Sequence, residues 1–415
     1  MVAIPLSLNY GKEHCSNIIN TIKPDVIVSD DLTLCKDYSK SVAFSLNNIE
    51  LPADFSTTKE EELLNVELMM CTSGTTGIPK ASMFSAEAIQ YNVNSISNYF
   101  TVNESDTMLI CRPIYHCAVL VGELLLSLFV GASIIFYSGG YNPMLIANIL
   151  DNNNVTVMCG TPTIFKALSD CLRHRHTKGC LRVIAISGEY MLPEYAHKIR
   201  DAFPSTKIFN VYGLTEAGPR VSYLPYEMFD ETPQAVGKPL RGIEIKIVGE
   251  QQEEKECMQP GEIWIKTPSI MLGYYQDIER TNERFYGTWF DTGDIGMIDK
   301  NNNLHILGRS DDMIIKSGMN IYPQEIEIKM QTLPDIKEVL VYGKLVNGVE
   351  QIAADVVLKE VYKTETSQDI MQKMVRVLPE YMMPTSISIV KDLPKNASGK
   401  VVRPRKYVRK SDDSV

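Results

Sequence analysis

Short β-rich runs, each followed by an amphipathic helical pattern, recur through about the first 240 of the chain's 415 residues. VIV (26–28), ELMMC (67–71), SIIFY (133–137), VTVMC (155–159), VIAIS (183–187) and KIFNVY (207–212) read as strands. Strands this apolar suit burial on both faces, and strand–helix alternation implies crossovers between parallel neighbours. The expected class is α/β, with parallel sheets covered by helices. Ile89, Val93, Ile96 and Phe100 recur at helical spacing, and Ser85 stands where an N-cap belongs. In such sheets ligands lie beyond the carboxyl ends of the strands. The turns CTSGTTGIPK (71–80), GEY after VIAIS and GLTEAG after KIFNVY all fall in that kind of position.

The texture changes after residue 240. IEIKIVG, GEIWIKT and NNNLHILGR alternate like antiparallel strands, so 240–308 reads as a small β-rich subdomain of a large N-terminal domain, 1–309. Beyond GRSDD, residues 310–415 read as a small α+β domain. It has a hairpin signal at Asn347-Gly348, an amphipathic helix near 366–378, the strand ISIV and a lysine-bearing loop.

A net charge of −10 argues against nucleic acid as a partner. The most apolar stretch, residues 118–136, holds Glu123 and is split by Gly131, which favours a buried helix running into a buried strand over a membrane span. The first residues lack a cationic segment followed by an apolar core, so no signal peptide is read. Nine cysteines without CxxC pairs fit a reduced, cytoplasmic setting, with Cys71 and Cys159 as small core residues. Cys171, His174, His176 and Cys180 match the spacing of no common zinc module.

The stretch 71–80 packs two glycines, four hydroxyls and Lys80 into ten positions. It is not a Walker loop, because Ile78 and Pro79 separate Gly77 from Lys80. The physical logic is related: glycines admit close backbone approach to an anion, hydroxyls donate, and lysine adds charge. Downstream stand NVYGLTEAG (210–218), WFDTGDIG (289–296), GRSDDMIIKSGMNIYPQEIE (308–327) and PKNASGK (394–400). In this order and spacing the set resembles the adenylate-forming superfamily of acyl-CoA synthetases, aryl-CoA ligases, luciferases and peptide-synthetase adenylation domains. The resemblance covers the chain from about residue 20 to 406.

The resemblance implies roles. Thr72, Ser73, Gly74, Thr75, Thr76, Gly77 and Lys80 would form a phosphate loop over ATP, and Gly188, Glu189 and Tyr190 the adenine edge. Asn210, Tyr212, Gly213 and Ile306 would complete the nucleotide site, with Tyr212 flanking adenine. Thr215 and Glu216 would hold phosphate and Mg2+. Asp294 and Arg309 would grip the ribose hydroxyls. Lys400 would bridge substrate carboxylate, ribose oxygen and α-phosphate. The residue types suit the chemistry: a carboxylate attacking a phosphate brings two anions together, and cations must screen them. Each residue also has an ordinary reading. Lys400 is one base in a cationic stretch, Glu216 a helix N-terminal acid, Asp294 a turn residue, Tyr212 a core ring, and His116 a buried hydrogen-bonded histidine.

His116, Cys117, Ala118, Leu120, Gly188, Gly213 and Gly218 would line an acyl pocket, with His116 gating the carboxylate. Amino-acid-activating relatives carry an Asp where this chain has Ala118, so an α-amino acid is not the expected substrate. Asp311 would be the hinge for a domain swing that brings Lys316, Ser317 and Gly318 to a thiol tunnel. Many relatives have Lys where Ile315 stands, which leaves the role of Lys316 open. The expected activity is ATP-dependent activation of a carboxylic acid to an acyl-adenylate, then thioester formation with coenzyme A. Alternative readings are loading of a carrier-protein phosphopantetheine and a catalytically inactive nucleotide-binding protein. The chain begins near the family's second motif, so the usual first segment is expected to be absent.

Overall fold

The computed structural model describes residues 2–6, 12–29, 42–44, 61–72, 80–139, 141–173, 180–316, 319–346, 349–394, 401 and 403. The chain forms two compact units. One comprises Met1–Glu244 and Ile265–Phe290, the other Ile245–Trp264 and Asp291–Val415. Much of the β-rich stretch thus belongs with the C-terminal residues, so the units divide the chain earlier than residue 309.

A seven-stranded sheet organises the first unit, in the order Lys238–Pro239, Ser222–Leu224, Lys207–Tyr212, Val183–Ser187, Val157–Gly160, Thr107–Ile110, Ser133–Phe136. The last five run parallel, and Ser222–Leu224 and Lys238–Pro239 add antiparallel pairs. VIAIS and KIFNVY form the strands expected of them. Their buried faces pack with those of the covering helices Pro143–Asn152, Pro162–Leu172 and Pro193–Ala202 in one core, which includes Leu109, Ile146, Phe165, Ile184, Ile199 and Ile208. Each of these helices opens on a proline, whose fixed φ and missing N–H suit the first turn. From Thr107–Ile110 the chain goes to one neighbour, Ser133–Phe136, and then returns to the other, Val157–Gly160. That reversal is a topological switch point, where a crevice opens beyond the carboxyl ends.

The apolar run 118–136 is helical, as its pattern predicts, but includes a π-helical turn at Leu120–Leu125. Gly131 ends it in the left-handed region, φ 77°. The strand that follows is not buried. Ser133–Phe136 is the edge of the sheet, with one neighbour, and Phe136 is 58% exposed. Leu128 and Phe129 on the preceding helix are also exposed.

The motif 71–80 is placed differently from the expectation of a turn in a parallel sheet. Leu68–Thr72 and Lys80–Phe84 pair antiparallel, Thr72 opposite Lys80, so residues 73–79 connect a hairpin. Gly273–Tyr274 pairs with the other side of Lys80–Phe84, making a three-stranded antiparallel sheet. The helix Ala86–Phe100 then begins, with the Ser85 hydroxyl accepting from the Ala88 N–H at 3.2 Å. Val93, Ile96 and Phe100 are buried along its inner face.

In the second unit Asp294–Ile298 pairs antiparallel with Leu304–Arg309, placing Asp294 opposite Arg309. Further on, Ile336–Val346 and Val349–Leu358 form a long antiparallel pair, and Ser386–Ile389 joins it in parallel. Asn347 and Gly348 lie outside the described residues, but Val346 and Val349 bracket them as partners. The helix near 366–378 runs Ser367–Met374, held at its start by a capping box between Thr366 and Asp369. Among the described residues, no helix is long and apolar enough to cross a membrane.

Candidate active site

The switch point is where the segment bearing His116 leaves the sheet. Thr107–Ile110 ends, and the chain continues through Arg112 to His116 and the helical run from Cys117. Burial, and then the Arg112 charge, bring the His116 imidazole down to about 4. Arg112 itself donates to the fully buried Glu123 at 2.6 Å. Burial pushes the Glu123 carboxyl above its ordinary value even against this cation. Arg220 is also buried and donates to the Tyr99 hydroxyl at 3.2 Å. Gly122 makes room for it, since a Cβ there would lie 3.1 Å from an Arg220 nitrogen. This charge cluster supports the π-helical turn from behind. Its only sequence signal was an acid inside an apolar run. Ala118 and Leu120 are half-buried on the same segment.

Two further turns lie along the same carboxyl edge. Gly188 follows Val183–Ser187 at φ 90°, and Glu189 accepts from the Thr163 hydroxyl at 2.6 Å and its N–H at 3.2 Å. Tyr190 is half-buried, and burial raises its hydroxyl to about 12. After Lys207–Tyr212, Gly213 meets the backbone of Pro219 and Arg220 closely, and Thr215–Ala217 forms a tight turn that Gly218 closes at φ 67°. Asn210 is buried, its amide donating to the Pro233 and Ala235 carbonyls at 2.9 and 3.0 Å. Tyr212 is buried beside it.

Asn92 fastens the turn from below. Its amide donates to Arg220 O at 2.9 Å, Ser269 Oγ at 3.1 Å and Ala217 O at 3.3 Å. Met271 N–H donates to Glu216 O at 2.8 Å, and the Tyr274 hydroxyl donates to Glu216 Oε1 at 2.8 Å. The Lys80 ammonium lies 5.3 Å from the centre of the Tyr274 ring. The Cys117 thiol lies 4.0 Å from Thr215 O, and its pKa is raised by burial and then by the Glu216 charge. The His116-bearing segment and the GLTEAG turn therefore touch.

In the second unit, Arg309 donates to Asp294 Oδ1 at 2.9 Å and to Thr292 O at 3.3 Å. Asp294 is itself buried, and Ile306 lies opposite Gly296 on the same pair of strands. Asp311 sits in the turn Ser310–Asp312. Lys316 donates to the Tyr381 and Met383 carbonyls at 3.2 and 3.3 Å. Ser73–Gly77, Ser317, Gly318, Lys400 and the Thr72 side chain lie outside the described residues, as do His174 and His176.

Sequence reasoning missed Arg403, which it took as one base among several. Its two terminal nitrogens face two carboxylates: one donates to both Glu327 oxygens at 2.6 Å, and the other to Asp312 at 3.2 Å. Its Nε donates to Val341 O at 3.1 Å. Burial pushes the Glu327 carboxyl up despite this partner. Arg403→Met leaves that carboxylate stranded and is expected to destabilise the second unit by about 3 kcal/mol, the lower end for breaking a buried pair, because this one is partly exposed. An unchanged urea melt would contradict it.

A family profile for AMP-binding enzymes matches residues 1–275, and one for the AMP-binding enzyme C-terminal domain matches 325–400. A 2-succinylbenzoate–CoA ligase of Lactococcus lactis subsp. lactis is 28% identical over 93% of this chain and 80% of its own length. An oxalate–CoA ligase of Arabidopsis thaliana is 30% identical over 81% of this chain and 66% of its own. Among solved structures, ATP-bound MatB from Rhodopseudomonas palustris superposes with a TM-score of 0.85 at 26% identity, covering 96% of this chain and 82% of that one. Turns that follow successive parallel strands, the tyrosine-held Glu216 and the two profile matches converge on one conclusion: the chain belongs to the AMP-binding enzymes of the adenylate-forming superfamily.

Proposed function

We propose that the chain uses ATP to activate a carboxylic acid as an acyl-adenylate and then transfers the acyl group to the thiol of coenzyme A. The observation that carries this is the contact of Cys117 with Thr215 O, which sets the acid-pocket segment against the turn bearing Glu216. Adenylation needs that adjacency. A carboxylate oxygen attacks the α-phosphorus, a new P–O bond forms, the α–β anhydride bond breaks, and pyrophosphate leaves. In the second step a thiolate adds to the acyl carbon, the C–O bond to the phosphate breaks, and AMP departs.

Thr215 and Glu216 face the phosphates in this reading. Mg2+ is commonly held by one or two carboxylates together with substrate phosphates. The residues fit that pattern, since Glu216 is half-buried on a rigid turn, and no cluster of three or more acidic, histidine or cysteine ligands occurs among the described residues. Bound there, the ion would screen the phosphate charge. Asp294 accepts ribose hydroxyls and Lys400 supplies the cation at the α-phosphate. Several relatives are named as CoA ligases for acids as different as oxalate and 2-succinylbenzoate, which supports the acid–thiol ligase class and leaves the acid open. Ala118 offers no partner to a substrate ammonium, which favours acids without an α-amino group.

A pyrophosphate-release screen over aliphatic, aryl and amino acids, run with and without coenzyme A, tests the proposal. Release with an aliphatic or aryl acid and a CoA thioester by mass support it. Silence across the panel points to a nucleotide-binding protein without catalysis, and thioester formation only with a phosphopantetheinylated carrier overturns the acceptor.

His116 gives a pH prediction. The unfolded chain takes up its proton near 6.5 and the folded chain near 4, so folding stability from this group is present above the unfolded value and is lost as pH falls through that window. The imidazole is therefore neutral at the pH of assay. The pH–rate profile is expected to carry no His116 inflection above about pH 5. A limb between about pH 6 and 7 that disappears in His116→Gln would contradict this.

A further inference from the structure

Tyr274 lies in none of the motifs that mark the nucleotide site, yet it touches two residues from them. It is 4% exposed. Its backbone is fixed on both sides. Tyr274 pairs with Ser82, Leu272 N–H donates to Met83 O and Tyr275 N–H to Ala81 O, both at 2.8 Å. Its own N–H donates to the Thr281 hydroxyl at 2.9 Å. The ring thus stands on the strand paired with the one that carries Lys80, while the hydroxyl donates to Glu216 Oε1 at 2.8 Å and the Lys80 ammonium lies near the ring.

We propose that Tyr274 is a positioning residue that fixes the Glu216 carboxylate for a magnesium–nucleotide complex and couples it to the lysine at the end of the phosphate loop. The hydroxyl occupies one carboxylate oxygen and orients the other toward the cation. The ring offers its electron-rich face to the Lys80 ammonium, so carboxylate and ammonium share one rigid support. This rests on the reading of Glu216 as the residue that faces magnesium and phosphate.

The test is calorimetric titration of MgATP, and of ATP in the presence of a chelator, onto the full chain and its variants. Tyr274→Phe keeps the ring and removes only the donor. It is expected to weaken MgATP binding about tenfold, typical of a lost hydrogen bond to a charged group, and to leave metal-free ATP binding within about twofold. Glu216→Gln should weaken MgATP at least as much, and the double variant should be no weaker than Glu216→Gln alone. A residue that only packed the sheet would move the melting temperature without separating the two forms of ATP. Wild-type MgATP affinity in Tyr274→Phe, alongside a weakened Glu216→Gln, overturns the tyrosine's role and spares the site. Unchanged affinity in Glu216→Gln overturns the reading of the carboxylate and the tyrosine's role with it. Additive losses in the double variant also overturn the coupling.

Discussion

Lys400→Ala is expected to slow acyl-adenylate formation by a factor of several hundred to a thousand, about 3–4 kcal/mol of transition-state stabilisation, while MgATP still binds within a few fold. The reacting carboxylate and the α-phosphate both carry negative charge, and the pentacoordinate phosphorus gathers more as the new bond forms. A cation at that point acts on the transition state more than on the bound nucleotide, which Mg2+ and the phosphate loop already neutralise. The loss therefore falls on turnover and spares ATP affinity. The two measurements are pyrophosphate release in a rapid-mixing experiment and ATP titration of the same variant. Thioester formation from synthetic acyl-adenylate should survive, because that step attacks carbon and releases a stable AMP. Full retention of pyrophosphate release would end the assignment of Lys400. Equal loss of both half-reactions would show that the residue supports the fold instead.

Gly213→Ala is expected to remove the folded first unit at ordinary temperatures, a loss above about 4 kcal/mol. A Cβ at this position would fall on the Pro219 carbonyl and within 3.0 Å of Arg220 Cα, and both are backbone. A flexible side chain would swing aside, but this backbone has little freedom. Asn92 accepts from Arg220 N–H at 3.3 Å and donates to Arg220 O, while Ser269 Oγ donates to Ala217 O at 2.9 Å. Shifting the turn breaks buried polar contacts with no water to replace them. Soluble yield and thermal unfolding check this, and an alanine variant that melts with the wild type would refute the close approach.

The strands VIAIS and KIFNVY were legible residue for residue because their signal is local: continuous apolar runs bounded by turn residues. Ser85 was legible as a cap for the same reason. Lys80–Phe84 was not. KASMF has one β-branched neighbour at best and reads like the approach to a helix, and it is a strand because Leu68–Thr72 pairs on one side and Gly273–Tyr274 on the other. Half of that pairing comes from nearly the other end of the unit, beyond any window of local pattern. The exposure of Ser133–Phe136 had the same origin, since apolar content reveals a strand but not whether it has one neighbour or two. Motif spacing singled out Glu216 and Asp294 as candidates, whereas Tyr274 and Arg403 act on partners 58 and 76 residues away and carry no spacing signature of their own.

The excursion from Ile110 to Ser133 starts and finishes on adjacent parallel strands; along it Cys117, Val119, Val121, Glu123 and Leu126 are buried, and Leu128 and Phe129 are exposed. Its two anchors are set by the sheet, and Cys117, through Thr215 O, ties it to the turn that bears Glu216. Under the proposed acid-pocket reading of this segment, exchanging residues 111–132 for the corresponding stretch of another ligase is expected to change acid preference. Arg112, Glu123 and Gly122 would need to travel together with the Arg220 they face, because the donor's version must arrive with its own charge balance.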